Sequence, residues 1–312
     1  MKILHIGMGS HMPALAEEIS KLGESLFIDW TAYIELGLKK QLDSNIESIC
    51  KEFKPDVVFI HAQQPGVIDE NNIHSLHGFI INYTYDVLQP IPEWFKQIGK
   101  FINLTLFCNE NDVKTFITEG MNSDFMFPGY DHNIFKPDFS LIPSAKYGEI
   151  VFLGNDYSDE HGFTMSSYRR DMVDFLKTTY SDRFKAYGNW KYNDGSLMFQ
   201  EKKEAECYRE CKIAISLSNF ELDRYTSDRL FRIMGSGAFC LAKHYPGIFQ
   251  DFEDKKHLKT WTNFSELKDN IDFYLEHDKI RNEIAKNGQL YVSNNFTWKH
   301  IAKKIIDYAR KS

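Results

Sequence analysis

Two series of short apolar runs, each alternating with stretches of helical spacing, constrain the fold of this chain more than any other feature. The first series contains KILHIG, PDVVFIHA, FIINYTYD and INLTLFCNE. Runs of Ile, Val, Leu and Phe without polar alternation are typical of strands buried on both faces, and strands that alternate with helices form parallel sheets. The first half of the chain is therefore predicted to form a doubly wound α/β domain.

The alternation breaks between Asp131 and Glu149, where two prolines interrupt it. A second series follows, with IVFLGN, FKAYGNW, KIAISLS and LKTW as its apolar runs. We place a linker at 136–148 between domains at 1–135 and 149–295, and a last helix at 296–312 could pack back on the first domain. Ligands bind at the carboxyl ends of strands in open parallel sheets. The prediction is thus an α/β chain of two doubly wound, Rossmann-like domains that face a central cleft.

Charge and composition narrow the function classes. The 312 residues carry a formal net charge of −7 with a pI near 5.9, which disfavours nucleic-acid binding over the whole surface but not in a local basic cleft. Five scattered cysteines predict reduced thiols in the cytoplasm, and none has a partner pair at zinc-like spacing, so no metal site is predicted. No signal peptide is expected, and no apolar run approaches the ~20 residues of a membrane span.

The loop after the first strand, GMGSH, holds Gly7 and Gly9 but has Met12 in place of a third glycine. As a dinucleotide fingerprint this is weak. Two interpretations stay open at this point. The glycines form a tight turn between strand and helix, or they let the backbone approach a ligand, with Ser10 and His11 at the cleft.

Polar residues follow two further strands of the first half. His61 and Gln63 come after VVFI, and Asp86 comes after FIINYTY. A carboxylate or an imidazole at such a strand end can take a proton from an attacking hydroxyl. Equally, Asp86 could cap a helix and His61 could be a core histidine, so the sequence leaves both roles open.

In the second half, Gly154 and Asn155 end the strand FLGN, and Arg169 follows in the next predicted helix. Tyr187 and Trp190 lie in YGNW, at the end of another strand. Such an aromatic rim can stack on a nucleobase, although aromatic residues at strand ends often serve packing alone.

The segment YTSDRLFRIMGSGAFCLA carries the most specific pattern. Thr226 or Ser227 is predicted to cap a helix whose positive N-terminal end attracts phosphate oxygens. Arg229 and Arg232 are one turn apart and can add bidentate donors. The alternative is a surface helix with solvated arginines. At the expected mouth of the second domain, a diphosphate site is the favoured interpretation.

Taken in order, FLGN, YGNW, KIAISLS, YTSDRLFRIMGSGAFCLA and the amphipathic segments that follow resemble the C-terminal donor domain of GT-B glycosyltransferases, in particular the spore-maturation-protein-like group. FKPDVVFIHAQQPGVI in the first half is similar to that group as well. The resemblance implies a GT-B architecture and transfer of a sugar from a nucleotide diphosphate donor, without a metal or a permanently bound cofactor. The C-terminal domain would hold the nucleotide, and the N-terminal domain would hold the acceptor.

The resemblance, together with the strand-end and helix-start patterns described above, gives roles to the singled-out residues. The predicted catalytic residues are Asp86, His61 and Arg229. The predicted donor-binding residues are Gly154, Asn155, Arg169, Tyr187, Trp190, Tyr225, Thr226, Ser227, Arg232 and Gly237. The predicted acceptor loops contain Gly9, Ser10, His11 and Gln63.

The chain departs from the family pattern at one point. Many retaining GT-B enzymes have two glutamates eight residues apart before the glycine turn, where this chain has Arg224 and Arg232. Ribose recognition by that route and the stereochemical course are therefore open. The predicted acceptor is a glycan, a lipid-linked glycan or a protein, with hydroxymethylated DNA as a minority option. A nucleotide-sugar epimerase and a non-catalytic nucleotide-sugar-binding protein are the alternative functions.

Overall fold

The computed structural model describes residues 1–9, 12–141, 144–197 and 200–311. It divides the chain into two compact units: unit 1 comprises Met1–Gly129 and Trp298–Ser312, and unit 2 comprises Tyr130–Thr297. The last helix therefore belongs to the same unit as the N-terminal half of the chain.

Within the described residues, six strands lie in unit 1 and five in unit 2. They are β1 (Lys2–Gly7), β2 (Glu24–Asp29), β3 (Val57–Ile60), β4 (Phe79–Thr84), β5 (Leu104–Phe107) and β6 (Ser123–Phe125), then β7 (Ile150–Leu153), β8 (Phe184–Tyr187), β9 (Ile213–Ser216), β10 (Cys240–Lys243) and β11 (Lys259–Trp261).

The α-helices connect these strands. They are α1 (Pro13–Ser20), α2 (Trp30–Glu35), α3 (Lys39–Phe53), α4 (Glu93–Gly99), α5 (Glu110–Thr118), α6 (Ser166–Tyr180), α7 (Glu201–Glu210), α8 (Arg229–Gly235), α9 (Ile248–Asp251), α10 (Phe264–Glu276), α11 (Asp278–Asn295) and α12 (Trp298–Lys311). None of the helices in the described ranges is long and apolar enough to cross a membrane.

Both sheets are parallel, and in each the direction in which successive strands are added changes once. The strand order is β2-β1-β3-β4-β5-β6 in unit 1 and β11-β10-β9-β7-β8 in unit 2. In unit 1, β2 is added on one side of β1, and β3 and the later strands are added on the other side. In unit 2, β8 is added on one side of β7, and β9 and the later strands are added on the other side. The switch points therefore lie between β1 and β3 and between β7 and β9, where open parallel sheets bind their ligands. The prediction of two doubly wound parallel α/β units is confirmed.

The buried strand β3 illustrates why the continuous apolar runs form a covered sheet. Its side chains alternate between two cores, because successive residues of a strand point to opposite faces. Val58 and Ile60 pack in a core with residues of α3. Val57 and Phe59 pack in the opposite core, which contains residues of α1 and of α12. Both faces of the sheet are therefore sealed, and the carboxyl ends of the strands are left for polar residues.

Candidate functional site

Arg229 lies at the switch point of unit 2. It is the first residue of α8, and its Nη1 donates to the carbonyl oxygen of Leu217 at 3.1 Å and to Oγ of Ser227 at 3.3 Å. Leu217 directly follows β9. The guanidinium is therefore held at the carboxyl end of β9, on the side where β7 is the neighbouring strand.

Arg169 reaches the same point from α6. Its side chain is buried, with the residue 2% exposed, and its Nη2 donates to the carbonyl oxygen of Asn155 at 2.9 Å. Its Nε finds no hydrogen-bond partner among the described residues. The Cζ atoms of Arg169 and Arg229 lie 5.4 and 5.5 Å from the ring centroid of Phe152, so one aromatic ring supports both cations.

Because Gly154 has no side chain, the two guanidinium groups can both lie beside its Cα atom. A Cβ atom built onto Gly154 would lie 2.6 Å from Nη2 of Arg169 and 2.9 Å from Nη2 of Arg229. Within the described part of the chain, neither arginine forms an ion pair with a carboxylate. Burial, and after it the charge of Arg229, lowers the pKa of Arg169 to about 9, so the group is still protonated at pH 7. The site suits a ligand with two or more negative charges.

The predicted cap of the next helix is wrong. The N-cap position is Asp228, one or two residues later than predicted, α8 begins at Arg229, and no side chain caps it. Thr226 is buried, and the backbone N–H of Ser227 donates to Oγ of Ser218 at 2.9 Å, so this stretch is tied to the loop after β9. The seven-residue helix therefore offers an anion the side chain of Arg229 rather than a capped terminus.

Arg232 does not share the environment of Arg229. Its guanidinium contacts carboxylate oxygens of Glu204 at 3.0 Å, of Asp228 at 2.8 Å and of Glu201 at 3.5 Å. Burial alone would lower the pKa of Arg232, but these carboxylates outweigh it and raise the pKa. The charge of Arg232 is neutralised within the protein, and the predicted contact with phosphate has no support from this arrangement.

Gly237 lies at the opposite end of α8 from Arg229. It follows the C-cap residue Ser236, has φ +81°, and donates its N–H to the carbonyl oxygen of Met234 at 2.9 Å. A left-handed residue at this position is the usual way to end a helix, and glycine adopts it without strain. Gly237 therefore shapes the turn between α8 and β10.

Trp190 and Tyr187 do not form an open stacking surface. Trp190 is 5% exposed, its Nε1 donates to the carbonyl oxygen of Gly154 at 2.6 Å, and its ring packs against Phe152. Tyr187 is half-buried and donates its hydroxyl to the carbonyl oxygen of Tyr147 at 2.9 Å. The indole is a core link between the loops after β7 and β8, and a base cannot stack on it in this arrangement.

A shallow pocket at the ends of β9 and β10 contains residues that the sequence analysis did not single out. Tyr225 and Thr226 line it, as predicted donor residues, together with Ser218, Lys243 and His244. Each of these additional residues follows or ends an apolar run, so the rule that strand ends carry function would have found them. The pocket adjoins Leu217, whose carbonyl oxygen binds Arg229.

In unit 1, Ser10 and His11 lie outside the described residues. Gly9 stands against Asp29, because a Cβ atom on Gly9 would lie 2.6 Å from Oδ2 of that carboxylate. Asp29 also accepts a hydrogen bond from the N–H of Thr31 and so caps α2. The need for glycine at this position is explained by packing against Asp29.

His61 is a buried histidine, with the residue 2% exposed. Its ring lies 5.6 Å from that of His5 and 4.7 Å from that of Phe59, measured between centroids. Burial lowers the pKa of His61 to about 3, against a smaller opposing effect of the Tyr83 backbone. The imidazole is neutral at pH 7 and is a weak base that an acceptor hydroxyl does not reach in this conformation.

Asp86 and Gln63 lie together at the carboxyl ends of β4 and β3. The hydroxyl of Thr84 is 3.3 Å from Oε1 of Gln63, and it accepts the backbone N–H of Asp86 at 3.2 Å. Asp86 is exposed and Gln63 is half-buried. Of the two predicted bases, Asp86 is an exposed residue, whereas His61 is buried. Among the described residues, no three His, Cys, Asp or Glu side chains form a group that could hold a metal ion.

Comparisons with known proteins agree with this architecture. Residues 169–307 match the model of a family described as glycosyl transferase-like. The whole chain is similar to Anabaena Alr3699/HepE, whose structure contains UDP-glucose, with a TM-score of 0.65, 14% identity and 100% coverage of both chains. It is also similar to the sucrose-phosphate synthase of Thermosynechococcus elongatus, with a TM-score of 0.63, 10% identity, and coverage of 100% of this chain and 98% of that chain.

The chain has the fold of the GT-B glycosyltransferases. The predicted GT-B fold is confirmed by these neighbours. The predicted glycosyltransferase class agrees with the match of residues 169–307 to the glycosyl transferase-like family. A putative UDP-N-acetylglucosamine 2-epimerase from Listeria monocytogenes is less similar, with a TM-score of 0.56, 10% identity, and coverage of 100% of this chain and 97% of that chain. No curated protein matches the sequence.

Proposed function

We propose that the protein transfers a glycosyl group from a uridine diphosphate sugar to an acceptor hydroxyl. The convergence of Arg169 and Arg229 on Gly154, at the switch point of unit 2, is the observation that carries this proposal. Two cations without carboxylate partners need an anionic ligand, and a diphosphate supplies at least two charges. The UDP-glucose bound to HepE, which shares the fold, supports uridine as the nucleoside.

In the proposed reaction the acceptor oxygen attacks the anomeric carbon of the donor sugar. The bond between that carbon and the phosphate oxygen breaks, and its electron pair stays on the diphosphate. Arg229 stabilises this growing negative charge, and the guanidinium groups balance it without a metal ion. Asp86, exposed at the end of β4, takes the proton of the acceptor hydroxyl if the reaction inverts the anomeric centre.

For the acceptor, a glycan or a lipid-linked glycan is the first proposal, with a protein hydroxyl next and a hydroxymethylated DNA base last. Gln63 and the Gly9 loop are the proposed acceptor-side elements beside Asp86. Their support is positional, because they follow β3 and β1, which flank the switch point of unit 1.

The donor proposal is tested by thermal-shift binding with the diphosphates and diphosphate sugars of uridine, adenosine, guanosine and thymidine at about 1 mM. A ligand that binds only the folded protein raises the melting temperature by mass action. We expect UDP and a UDP-sugar to raise it, and uridine, the matched ligand without phosphates, to leave it unchanged. No shift with any nucleotide contradicts the proposal. Conversion of UDP-N-acetylglucosamine to its 2-epimer without an acceptor would establish the epimerase instead.

Gly154→Ala is expected to weaken UDP binding by about tenfold or more, because the added methyl group must displace both guanidinium groups. Calorimetric titration of UDP into the variant measures this effect. The control is Gly162→Ala, at a φ of +71° with no atom within 4 Å of the added Cβ, which tests backbone strain in the same loop without crowding. Equal losses of affinity in the two variants would contradict the crowding argument.

A further inference from the structure

The two arginines at the unit 2 switch point differ in their charge balance from Arg224 and Arg232, the other two arginines of the segment between β9 and β10. Arg224 is paired with Asp251 at 2.7 Å, and Arg232 is paired with three carboxylates. Arg169 and Arg229 instead bind carbonyl and hydroxyl oxygens, which carry no full charge. Among the described residues, neither charge is neutralised by a direct ion pair, although Asp156 acts on Arg169 and Glu204 acts on Arg229 through space.

We infer that this pair, whose hydrogen bonds go to carbonyl and hydroxyl oxygens rather than to carboxylates, selects the bound nucleotide by its charge. The protein should then bind the product nucleoside diphosphate more tightly than the nucleotide-sugar donor. Arg169 is the charge-selecting residue in this inference. The inference rests on the proposed function, because it concerns the diphosphate of the same site.

The chemistry of the transfer supplies the charge difference. In the donor, each phosphate of the diphosphate carries one negative charge, because the terminal phosphate is esterified to the sugar. After transfer, the oxygen that linked the sugar stays on the terminal phosphate, which then ionises a second time with a pKa near 6. Above about pH 6 the product therefore carries one more negative charge than the donor. Attraction to a fixed positive charge grows in proportion to the ligand charge, and partial burial limits its screening.

Arg169 is placed to act through its field rather than through contact. The residue is only 2% exposed, and Asn155 and the ring of Phe152 hold its guanidinium. Arg229 is half-buried and can touch a phosphate directly. A buried charge that does not touch the ligand cannot recognise the sugar or the base, so its effect depends on the charge of the ligand alone.

Other titratable groups surround the pair and must be considered in a pH experiment. They are Asp156, Tyr157, Asp159 and His161 after β7, Glu221 and Tyr225 after β9, Lys243 and His244 at the end of β10, Asp228 and Arg232 around α8, and Glu204 on α7. Their ionisation changes the affinity of both ligands. An effect that changes the affinities for UDP and UDP-glucose by the same factor cancels in the ratio of the two affinities.

The first experiment measures the dissociation constants of UDP and UDP-glucose for the wild-type protein by calorimetry between pH 5 and pH 8. We expect UDP to bind about tenfold more tightly than UDP-glucose at pH 8, and the ratio to fall towards one at pH 5, where the terminal phosphate has lost its extra charge. A ratio that does not change with pH overturns the inference.

Variants of Arg169 separate its charge from its structural role. Arg169→Lys keeps the charge and should keep a pH-dependent ratio, even if the melting temperature falls. Arg169→Gln removes the charge and should bring the ratio at pH 8 down to about threefold or less. Arg183→Gln is the matched control. It removes a guanidinium that pairs with Glu149 and lies at the amino-terminal end of β8, away from the carboxyl ends of the strands. Loss of the ratio in the lysine variant, or its retention in the glutamine variant, overturns the role of Arg169.

Failure of this inference can be told apart from failure of the proposed function. If neither UDP nor UDP-glucose binds, and no other nucleotide does, the proposed function falls and the inference falls with it. If both bind with equal affinity at pH 8, the donor site stands and only the charge selection is wrong. If the glutamine variant does not fold, the pH dependence of the wild-type ratio still decides whether the site selects by charge.

Discussion

Arg229→Ala is expected to abolish the thermal stabilisation of the protein by UDP and to lower kcat/KM by about 100- to 1000-fold. Arg229 is the half-buried member of the cationic pair, and it donates to Leu217 and Ser227 with one nitrogen while Nη2 faces Gly154. Removal of this side chain takes away the donor that opposes the negative charge of the leaving diphosphate. Thermal shift with UDP, and release of UDP from UDP-glucose in the presence of acceptor, measure the two effects.

Arg232→Ala provides the contrast to this variant, since it removes an arginine three residues further along α8. Its guanidinium pairs with Glu201, Glu204 and Asp228, so its loss leaves the buried carboxylate of Glu204 without its ion-pair partner. We expect a loss of stability of about 3 kcal/mol, and an unchanged shift with UDP measured from the lower melting temperature. An Arg229→Ala protein that still responds to UDP like the wild type would contradict the donor site.

If the transfer inverts the anomeric centre, Asp86→Asn is expected to lower kcat by about 100- to 10000-fold while the dissociation constant of UDP stays unchanged. The amide has nearly the same shape as the carboxylate but cannot accept the proton of the acceptor hydroxyl. The backbone of Asp86 is held by the hydroxyl of Thr84, so the loop should keep its conformation in the variant. Initial rates with saturating donor and acceptor, together with calorimetric titration of UDP, separate the chemical step from donor binding.

The matched control for Asp86 is Asp56→Asn. Asp56 is an exposed residue that directly precedes β3, at the amino-terminal ends of the strands of the same sheet. Its carboxylate accepts the N–H of Lys2 at 2.7 Å. It should retain the rate of the wild type. A wild-type rate in Asp86→Asn would show that Asp86 is not the base. His61→Asn would then test the buried histidine, and a wild-type rate in both variants would indicate a transfer that uses neither residue as a base, as in a retaining reaction.

The sequence by itself determined the secondary structure pattern, the parallel sheets and the strand ends at which polar residues collect. These features depend on local order: a continuous apolar run such as VVFI is buried on both faces wherever it lies, and the residue after it must emerge at the edge of the sheet. Gly154 and Asp86 could be singled out for this reason, whereas Arg229 was singled out from the pattern of the helical segment YTSDRLFR. The same rule, applied to every strand, would also have included Lys243.

Tertiary structure alone decided which of these residues act together. Arg229 and Arg232 are neighbours on one short helix, yet only Arg232 faces the carboxylates of α7, and the sequence does not say which helix lies beside α8. Trp190 follows a strand, as a residue that stacks on a base would, and His61 follows a strand, as a catalytic base would. Both side chains are nevertheless buried, His61 against Phe59 and Trp190 against Phe152. Charge balance and burial depend on residues that are distant along the chain, so they emerge only when the fold brings Arg169, Gly154 and Arg229 to one point.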